Sequence, residues 1–299
     1  MFCSFSRNIK QIKLILVLVI LIIVWTLVWP LFRFVVQEIP PLVFRMSAGI
    51  PAAIILLLIA KIRSKKLIIP KKNWTSLILI SLFNVTLWQV LMLYGVSLLG
   101  GGRAAVLGYT MPVWAVMVAA IMGFEKITIS SLIALCLGIF GVISLAAGID
   151  FFSNWIGIFV MLMAGFSWGV GTIILKYGGL KFDAFVIAGW QQLIGILPII
   201  PFAILWDLNN IGDPDYRHFL VLIFAIFFAS AYTYWAYFVV LKNFTVTVTS
   251  ISVMMVPVLA ILIDTLYLGL SISYYDLCAL LMIVMGIFVA AKKPFNKEN

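Results

Sequence analysis

Long runs of apolar residues follow one another along almost the whole chain, separated by short polar stretches. Each run holds about 20 residues, the length that an α-helix needs to cross the hydrocarbon core of a bilayer. The pattern predicts ten membrane-spanning helices, spans 1 to 10, at residues 12–32, 41–61, 74–95, 103–123, 129–149, 155–176, 184–206, 218–239, 245–269 and 275–292. Because the connecting segments leave no room for a separate domain, we predict an all-α polytopic membrane protein.

The second half of the chain repeats features of the first half. Trp25 in span 1 recurs 143 positions later as Trp168 in span 6. Pro112 in span 4 recurs 145 positions later as Pro257 in span 9. A proline inside a membrane helix frees a backbone carbonyl, which a wet cavity or a neighbouring helix then satisfies. We interpret the two prolines as paired kinks that line the pathway and gate it, with plain helix packing as the alternative.

The repeat divides the chain into two halves, residues 1–150 and 151–299, each with five spans. An odd number of spans per repeat places the two copies upside down relative to each other in the membrane. Inverted repeats of this kind are a common basis of alternating-access transport, with the substrate site near the bilayer midplane. The sequence therefore predicts a transporter of two inverted five-helix repeats.

Charge is scarce and unevenly distributed. Only 10% of the residues are charged and 65% are hydrophobic, whereas soluble globular chains are about 25% charged. With the N-terminus placed inside, sixteen of the 20 Lys and Arg residues fall on the inner side and three on the outer side. The positive-inside rule then predicts cytoplasmic termini in a bacterial inner membrane. The same bias explains the net charge of +10 without a nucleic-acid partner.

Several motifs occur together at fixed places in the predicted spans. They are Trp25-x7-Arg33, Trp168-x7-Lys176, Arg45 in span 2, Pro112 in span 4 and the turn Gly123-Phe124-Glu125-Lys126. As a set they resemble the EamA branch of the drug/metabolite transporter superfamily over essentially the whole chain. The resemblance implies that spans 1–4 and 6–9 line a central cavity and that small metabolites, commonly amino acids, cross without ATP.

Finer details are similar to the aromatic amino-acid exporters of that branch. Tyr109 lies three residues before Pro112, and span 8 carries the run Ala-Tyr-Thr-Tyr-Trp at 231–235. Other details depart from those exporters, because Trp88 and Gln89 replace a tyrosine and an acid. The departures bear on the substrate more than on the fold.

Two ionisable residues lie well inside predicted spans, where a charge is costly unless it is paired or hydrated. Arg45 either binds a substrate carboxylate through its fork of donors or reaches the outer headgroups and helix-end carbonyls. Asp264 in span 9 either receives a substrate amino group or a proton, or lies at the outer mouth. The shortage of buried acids makes uncoupled facilitated diffusion the simplest mechanism.

Neutral polar and aromatic residues gather deep in spans 3, 7 and 8. Because amides in contact with lipid are costly, we expect them to face a cavity or a neighbouring helix. Together with the tryptophans of the repeat and Tyr109, the cavity candidates are Trp25, Asn84, Trp88, Gln89, Tyr109, Trp168, Trp190, Gln191, Gln192, Tyr232 and Trp235, in a span that also carries Tyr234 and Tyr237. Such a lining suits an aromatic or amphipathic zwitterion better than a phosphate or a sugar acid.

Nothing in the sequence indicates an enzyme, a cofactor or a metal site. There is no phosphate-binding G-x-x-x-x-G-K-[ST] motif, and the single histidine, His218, is expected to be solvated at an outer loop. We predict a monomer or weak dimer in the lipid bilayer that exports amino acids or similar hydrophobic metabolites. The alternative is an importer or exchanger of a nucleoside-like or methyl-donor compound, possibly coupled to protons.

Overall fold

The computed structural model describes residues 2–99, 101–124, 128–145 and 155–256, with single positions between 259 and 289. The regular elements in the four continuous ranges are helices. They are α1 (Phe2–Val35), α2 (Pro41–Ile62), α3 (Lys71–Leu99), α4 (Gly101–Gly108), α5 (Met111–Ile121), α6 (Ile129–Leu145), α7 (Trp155–Tyr177), α8 (Ala184–Ile196), α9 (Ile199–Asn210), α10 (Tyr216–Asn243) and α11 (Val246–Val253).

Within those ranges, five helices are long and apolar enough to cross a membrane: α1 from Gln11 onward, α2, α3, α7 and α10. The pair α8 and α9 makes a sixth if it is taken as one bent span. This confirms the predicted all-α, multi-pass membrane architecture. About half of span 9 and most of span 10 fall outside the described residues, so the number of ten helices stays a prediction.

Two of the predicted spans are interrupted in the structure. Span 4 breaks between α4 and α5, and span 7 bends by 40° between α8 and α9. Proline explains both interruptions, because Pro112 lies in the first turn of α5 and Pro198 directly precedes α9. Inside a helix, the proline ring clashes with the carbonyl of the residue four positions earlier, and proline has no backbone N–H to donate. In the first turn of a helix neither effect matters, so proline fits there. The sequence predicts a kink at Pro112 in span 4, whereas the bend at Pro198 in span 7 was not foreseen from it.

The helices α3 and α10 share a second kind of irregularity. Each contains a wide π-helical segment, at Leu82–Leu87 in α3 and at Ala225–Tyr232 in α10. A shift of 145 positions, the spacing of the two prolines, places the first segment inside the second. Such widened turns often mark functional positions in helices. The two halves therefore carry the same distortion at the same place.

The equivalent helices α2 and α8 pack closely and run in opposite directions. A Cβ added to Gly49 would lie 2.5 Å from Cδ1 of Ile196, and one added to Gly189 would lie 2.8 Å from Cδ2 of Leu57. Gly49, near the start of α2, thus lies against Ile196 at the end of α8, whereas the later residue Leu57 lies against Gly189, nearer the start of α8. Small residues allow such close approach between membrane helices. Antiparallel packing of these two helices is the arrangement expected of inverted repeats.

The turn between α1 and α2 is held by the second half of the chain. Proline occupies the N-cap of α2 and offers no side-chain cap, but Oδ2 of Asp207 accepts a hydrogen bond from the N–H of Leu42 at 2.9 Å. The backbone N–H of Gly212 donates to the carbonyl of Glu38 at 2.8 Å, and the N–H of Asp213 donates to Oε2 of Glu38 at 2.9 Å. These contacts join the two halves at one end of the molecule.

Candidate functional site

A cavity lies between the two halves, bounded by α1, α3, α7, α10 and the break in span 4. It holds about 450 Å³ of empty space, counted to its open mouth. Its lining is mostly aromatic and carries no charged side chain. The lining residues are Trp25, Val28, Trp29, Phe32, Trp88, Gln89, Met92, Tyr109, Met111, Trp168, Ala229 and Tyr234. The lining residues run from Trp25 to Phe32 along α1 and from Trp88 to Met92 along α3, so the cavity extends along both helices.

Trp168 of α7 forms the floor of the cavity. Its ring meets Trp25 edge-on with centroids 5.6 Å apart and lies 5.1 Å from the ring of Trp88. It also contacts the ring of Tyr237 at 5.1 Å and donates from Nε1 to the Tyr237 hydroxyl at 3.3 Å. Aromatic rings in such edge-to-face and tilted contacts attract one another beyond simple burial. The floor is therefore a cluster of aromatic rings held together by ring contacts and a hydrogen bond.

A smaller cavity of about 190 Å³ lies beyond that floor. Met111 and Trp168 line both spaces, and the smaller one is completed by Pro112, Ala115, Tyr237 and Val253. Farther along, Lys176 at the end of α7 donates from Nζ to the carbonyls of Leu241 and Phe244. These bonds hold the end of α7 against the end of α10 and the residue after it.

The break in span 4 places Tyr109 in the cavity wall. Tyr109 lies between α4 and α5, 2% exposed, and its hydroxyl accepts a hydrogen bond from Nε1 of Trp29 at 3.2 Å. The two rings are 5.8 Å apart. In a continuous helix the direction of the Tyr109 side chain would follow from the helical repeat. Here Tyr109 lies in the interruption between α4 and α5, so the geometry of that interruption sets the direction of its side chain.

Three residues form a polar relay on the opposite wall. The Tyr234 hydroxyl donates to the backbone carbonyl of Asn84 at 2.6 Å, and Nε2 of Gln89 donates to the Tyr234 hydroxyl at 2.9 Å. Oε1 of Gln89 and both side-chain polar atoms of Asn84 are buried and have no partner among the described residues. Unpaired buried polar atoms are uncommon in folded proteins and require an explanation.

Arg45 lies behind this wall and joins three helices. It is 2% exposed, and it donates to Oε1 of Gln192 on α8 and, at 2.9 Å, to Oγ of Ser230 on α10. Within the described ranges no carboxylate pairs with it, and its Nε has no partner. The guanidinium is therefore fully enclosed, held by neutral dipoles, and it leaves net positive charge next to the cavity. It does not reach headgroups, so the headgroup interpretation of Arg45 does not fit the structure.

Three contacts of the site join residues at equivalent positions of the two halves. Two equivalent residues touch each other only where both lie beside the axis that relates their repeats. The pairs are Trp25 with Trp168, Arg45 with Gln192, and Gln89 with Tyr234. They are separated by 143, 147 and 145 positions respectively. The predicted inverted repeat therefore requires its axis to pass beside these three contacts.

Comparison with known proteins decides what kind of molecule this is. Residues 12–147 and residues 155–291 each match the model of the EamA-like transporter family. The chain belongs to this family. This confirms the predicted membership of the drug/metabolite transporter superfamily and identifies the cavity as that of an EamA-like transporter.

Curated relatives cover nearly the whole length of this EamA-like transporter. The chain is 26% identical over 283 residues to the uncharacterized transporter YoaV of Bacillus subtilis. The aligned region covers 93% of this chain and 97% of YoaV. The chain is 25% identical over 296 residues to the uncharacterized transporter YvbV of the same organism, covering 96% and 94% of the two chains. Both relatives support transport without naming a substrate.

A solved crystal structure has the same fold as this EamA-like transporter. The two superpose with a TM-score of 0.78 over 94% of this chain and 96% of the other, at 18% sequence identity. The likeness establishes the fold alone.

Several predicted cavity residues of the EamA-like transporter lie elsewhere. Trp190 donates from Nε1 to the carbonyl of Leu67 at 2.8 Å, and Gln191 is buried with a long 3.4 Å contact to the carbonyl of Ile80. Tyr232 donates to the carbonyl of Val17 at 3.1 Å, and Trp235 stacks on Phe185 with centroids 5.2 Å apart. Each of these contacts joins neighbouring helices or loops, so packing accounts for these residues in the present conformation.

The remaining candidates divide into two groups. The cavity brings together Trp25, Trp88, Gln89, Tyr109 and Trp168, whereas Asn84, Arg45 and Gln192 lie just behind its wall. Pro112 lines the smaller cavity. Pro257 and Asp264 lie outside the described residues.

The sequence reasoning missed Trp29, Phe32, Met92 and Met111, which all line the cavity. A spacing of four residues places Trp29 one turn after Trp25 on the same helix face, so periodicity alone was a usable signal for it. No sequence signal distinguished Met92 or Met111 from other apolar residues.

His218 was predicted to be solvated, and this was wrong. It is 6% exposed and stacks on Phe34 at 4.3 Å, in a capping box with Asp215 at the start of α10. Partial desolvation acts to raise the pKa of Asp215, but hydrogen bonds from His218 and from the Arg217 backbone outweigh it and hold that pKa below its usual value. Among the described residues, no three His, Cys, Asp or Glu side chains form a group able to hold a metal ion.

Proposed function

We propose that this EamA-like transporter moves amino acids or similar small hydrophobic metabolites across a bacterial inner membrane by alternating access. Two inverted five-helix repeats, with both termini cytoplasmic, rock about the axis marked by the contacts between equivalent residues. The observation that carries the proposal is the cavity on that axis, whose walls are aromatic and whose polar atoms are uncharged. Aromatic faces with a few uncharged hydrogen bonders suit an aromatic zwitterion.

Closure at one end supports alternating access. The cavity extends along α1 and α3 toward the end that the charge bias predicts to be outer. Trp168 closes its floor, and Lys176 ties α7 to the end of α10 below it. This arrangement corresponds to an outward-open state. Export then requires the opposite state, in which the Trp168 contacts open toward the smaller cavity.

The coupling follows from the scarcity of acids. Within the described ranges no carboxylate lines either cavity, so no group there is suited to carry a proton through the transport cycle. We therefore propose uncoupled facilitated diffusion, with net export set by the cytoplasmic concentration of the substrate.

Flux in proteoliposomes tests the proposal. Vesicles that contain the purified protein and labelled tryptophan or phenylalanine should lose label faster than vesicles without protein. Trp168→Ala should abolish most of that efflux. The control is Trp155→Ala on the same helix, which should leave the efflux unchanged because the Trp155 side chain is 71% exposed and lies away from the cavity. Efflux no faster than from empty vesicles would refute the substrate class. Strong acceleration by an imposed pH gradient would refute uncoupled diffusion.

A further inference from the structure

The relay of Tyr234 and Gln89 has a direction that a backbone carbonyl fixes. The carbonyl of Asn84 can only accept, and Tyr234 donates its single hydroxyl proton to it. At the contact with Gln89 the phenol oxygen must therefore accept, so Gln89 has to present its NH₂ group there. Oε1 of Gln89 is consequently turned away from Tyr234. The hydrogen bonds of Tyr234 therefore determine which way the Gln89 amide group is turned.

Oε1 of Gln89 is then a buried acceptor on a side chain that lines the cavity. Gln89 lines the cavity and is 5% exposed, and its Oε1 has no partner among the described residues. Leaving a buried acceptor unpaired is unfavourable, so a molecule that brings a donor into the cavity gains from it.

The surroundings of this acceptor select the kind of donor. The rings of Trp25, Trp88 and Trp168 border the same cavity, and aromatic faces attract an ammonium group. A positive guanidinium lies behind the wall, because Arg45 bonds Ser230, the neighbour of the cavity residue Ala229. A ligand with net positive charge is disfavoured by that guanidinium, whereas a ligand that also carries a carboxylate is not.

We propose that Oε1 of Gln89 is a specificity-determining acceptor for the ammonium group of a zwitterionic substrate. The inference rests on the proposed function, since it assigns one contact of the same cavity. It predicts that α-amino acids are preferred over analogues that keep the ring and the carboxylate but lack the amine.

The test compares tryptophan with indole-3-propionate, which lacks only the α-amino group. Efflux of both compounds is measured from the same proteoliposomes, so that their ratio does not depend on the amount of folded protein. The wild type should carry tryptophan faster, and Gln89→Met should lower the ratio roughly tenfold or more, the effect of one hydrogen bond to a charged group. Gln191→Met, a buried glutamine away from the cavity, should leave the ratio unchanged.

A second variant protects the test against misfolding of the first. Tyr234→Phe removes the acceptor that orients the amide, so Gln89 is free to turn its NH₂ group into the cavity, and the ratio should also fall. An unchanged ratio in both folded variants would overturn the inference while leaving transport itself intact. Wild-type vesicles that carry neither compound would instead overturn the proposed function, and this inference with it.

Discussion

Gly171 of α7 leaves just enough room for the side chain of Asn84 on α3. A Cβ at position 171 would lie 1.5 Å from Oδ1 of Asn84, 2.4 Å from its Cγ and 3.1 Å from its Nδ2. Asn84 is fully buried in the π-helical segment and cannot turn out into solvent. Gly171→Ala therefore forces α3 and α7 apart or displaces the Asn84 backbone, whose carbonyl anchors Tyr234.

The expected cost is that of overpacking a tight interior, about 1–3 kcal/mol. At about 2–4 °C for each kcal/mol, the midpoint of thermal unfolding in detergent should fall by several degrees. Efflux of tryptophan should fall as well, because the relay behind Gln89 is disturbed. Intrinsic fluorescence during heating reports the first effect and proteoliposome flux reports the second.

The double variant with Asn84→Ala decides whether the clash is the cause. Asn84→Ala alone removes an amide that has no hydrogen-bond partner among the described residues, so it should change stability little. Combined with Gly171→Ala it should restore most of the lost stability, a coupling of about 0.5–3 kcal/mol. Equal unfolding midpoints for Gly171→Ala and the double variant would refute the reasoning.

Three further predictions concern buried contacts and a helix end. Gln192→Leu leaves Arg45 with Ser230 as its one remaining described partner and should cost about 1.5–3 kcal/mol in thermal unfolding, whereas Gln191→Leu should cost less than 1 kcal/mol. Asp207→Ala removes the side chain that caps α2, so it should lower the free energy of unfolding by about 1 kcal/mol and speed amide hydrogen exchange in the first turn of α2. Asp213→Ala is the control, and no effect is expected from it. Because the pKa of Asp215 is lowered, its stabilising effect is complete above the ordinary value of 3.8 and is lost as the pH falls through the folded-state pKa. Thermal unfolding measured against pH should therefore show a weaker acid-side decline in Asp215→Ala than in the wild type, and identical declines would contradict this role.

Hydrophobic patterning predicted the helices well because membrane spans are set by length and apolarity. It could not predict where a span breaks. Pro112 and Pro198 both interrupt a span, whereas Pro30 and Pro51 lie inside α1 and α2 without ending them. The difference depends on which neighbours satisfy the freed carbonyls, and a single chain does not reveal its neighbours before it folds.

The cavity was predictable in character but only partly in membership. The repeat pointed to Trp25 and Trp168, and polarity pointed to Gln89, because those signals depend on residue type. Trp235 and Tyr234 are adjacent in sequence, yet only Tyr234 faces the cavity. Since neighbouring residues on a helix point about 100° apart, a small rotation of α10 decides between them, and the π-helical segment before Thr233 supplies such a rotation.

The contact between Arg45 and Gln192 is one that two identical copies could not form. In a pair of identical five-helix proteins related by the same axis, position 45 of one copy would meet position 45 of the other. Two guanidiniums would then repel each other, and two amides would provide no buried charge. A single polypeptide has no such restriction, because the residues on the two sides of the axis can differ. One chain with two unlike halves can therefore place one buried cation, Arg45, against an amide at this contact, which a symmetric dimer could not.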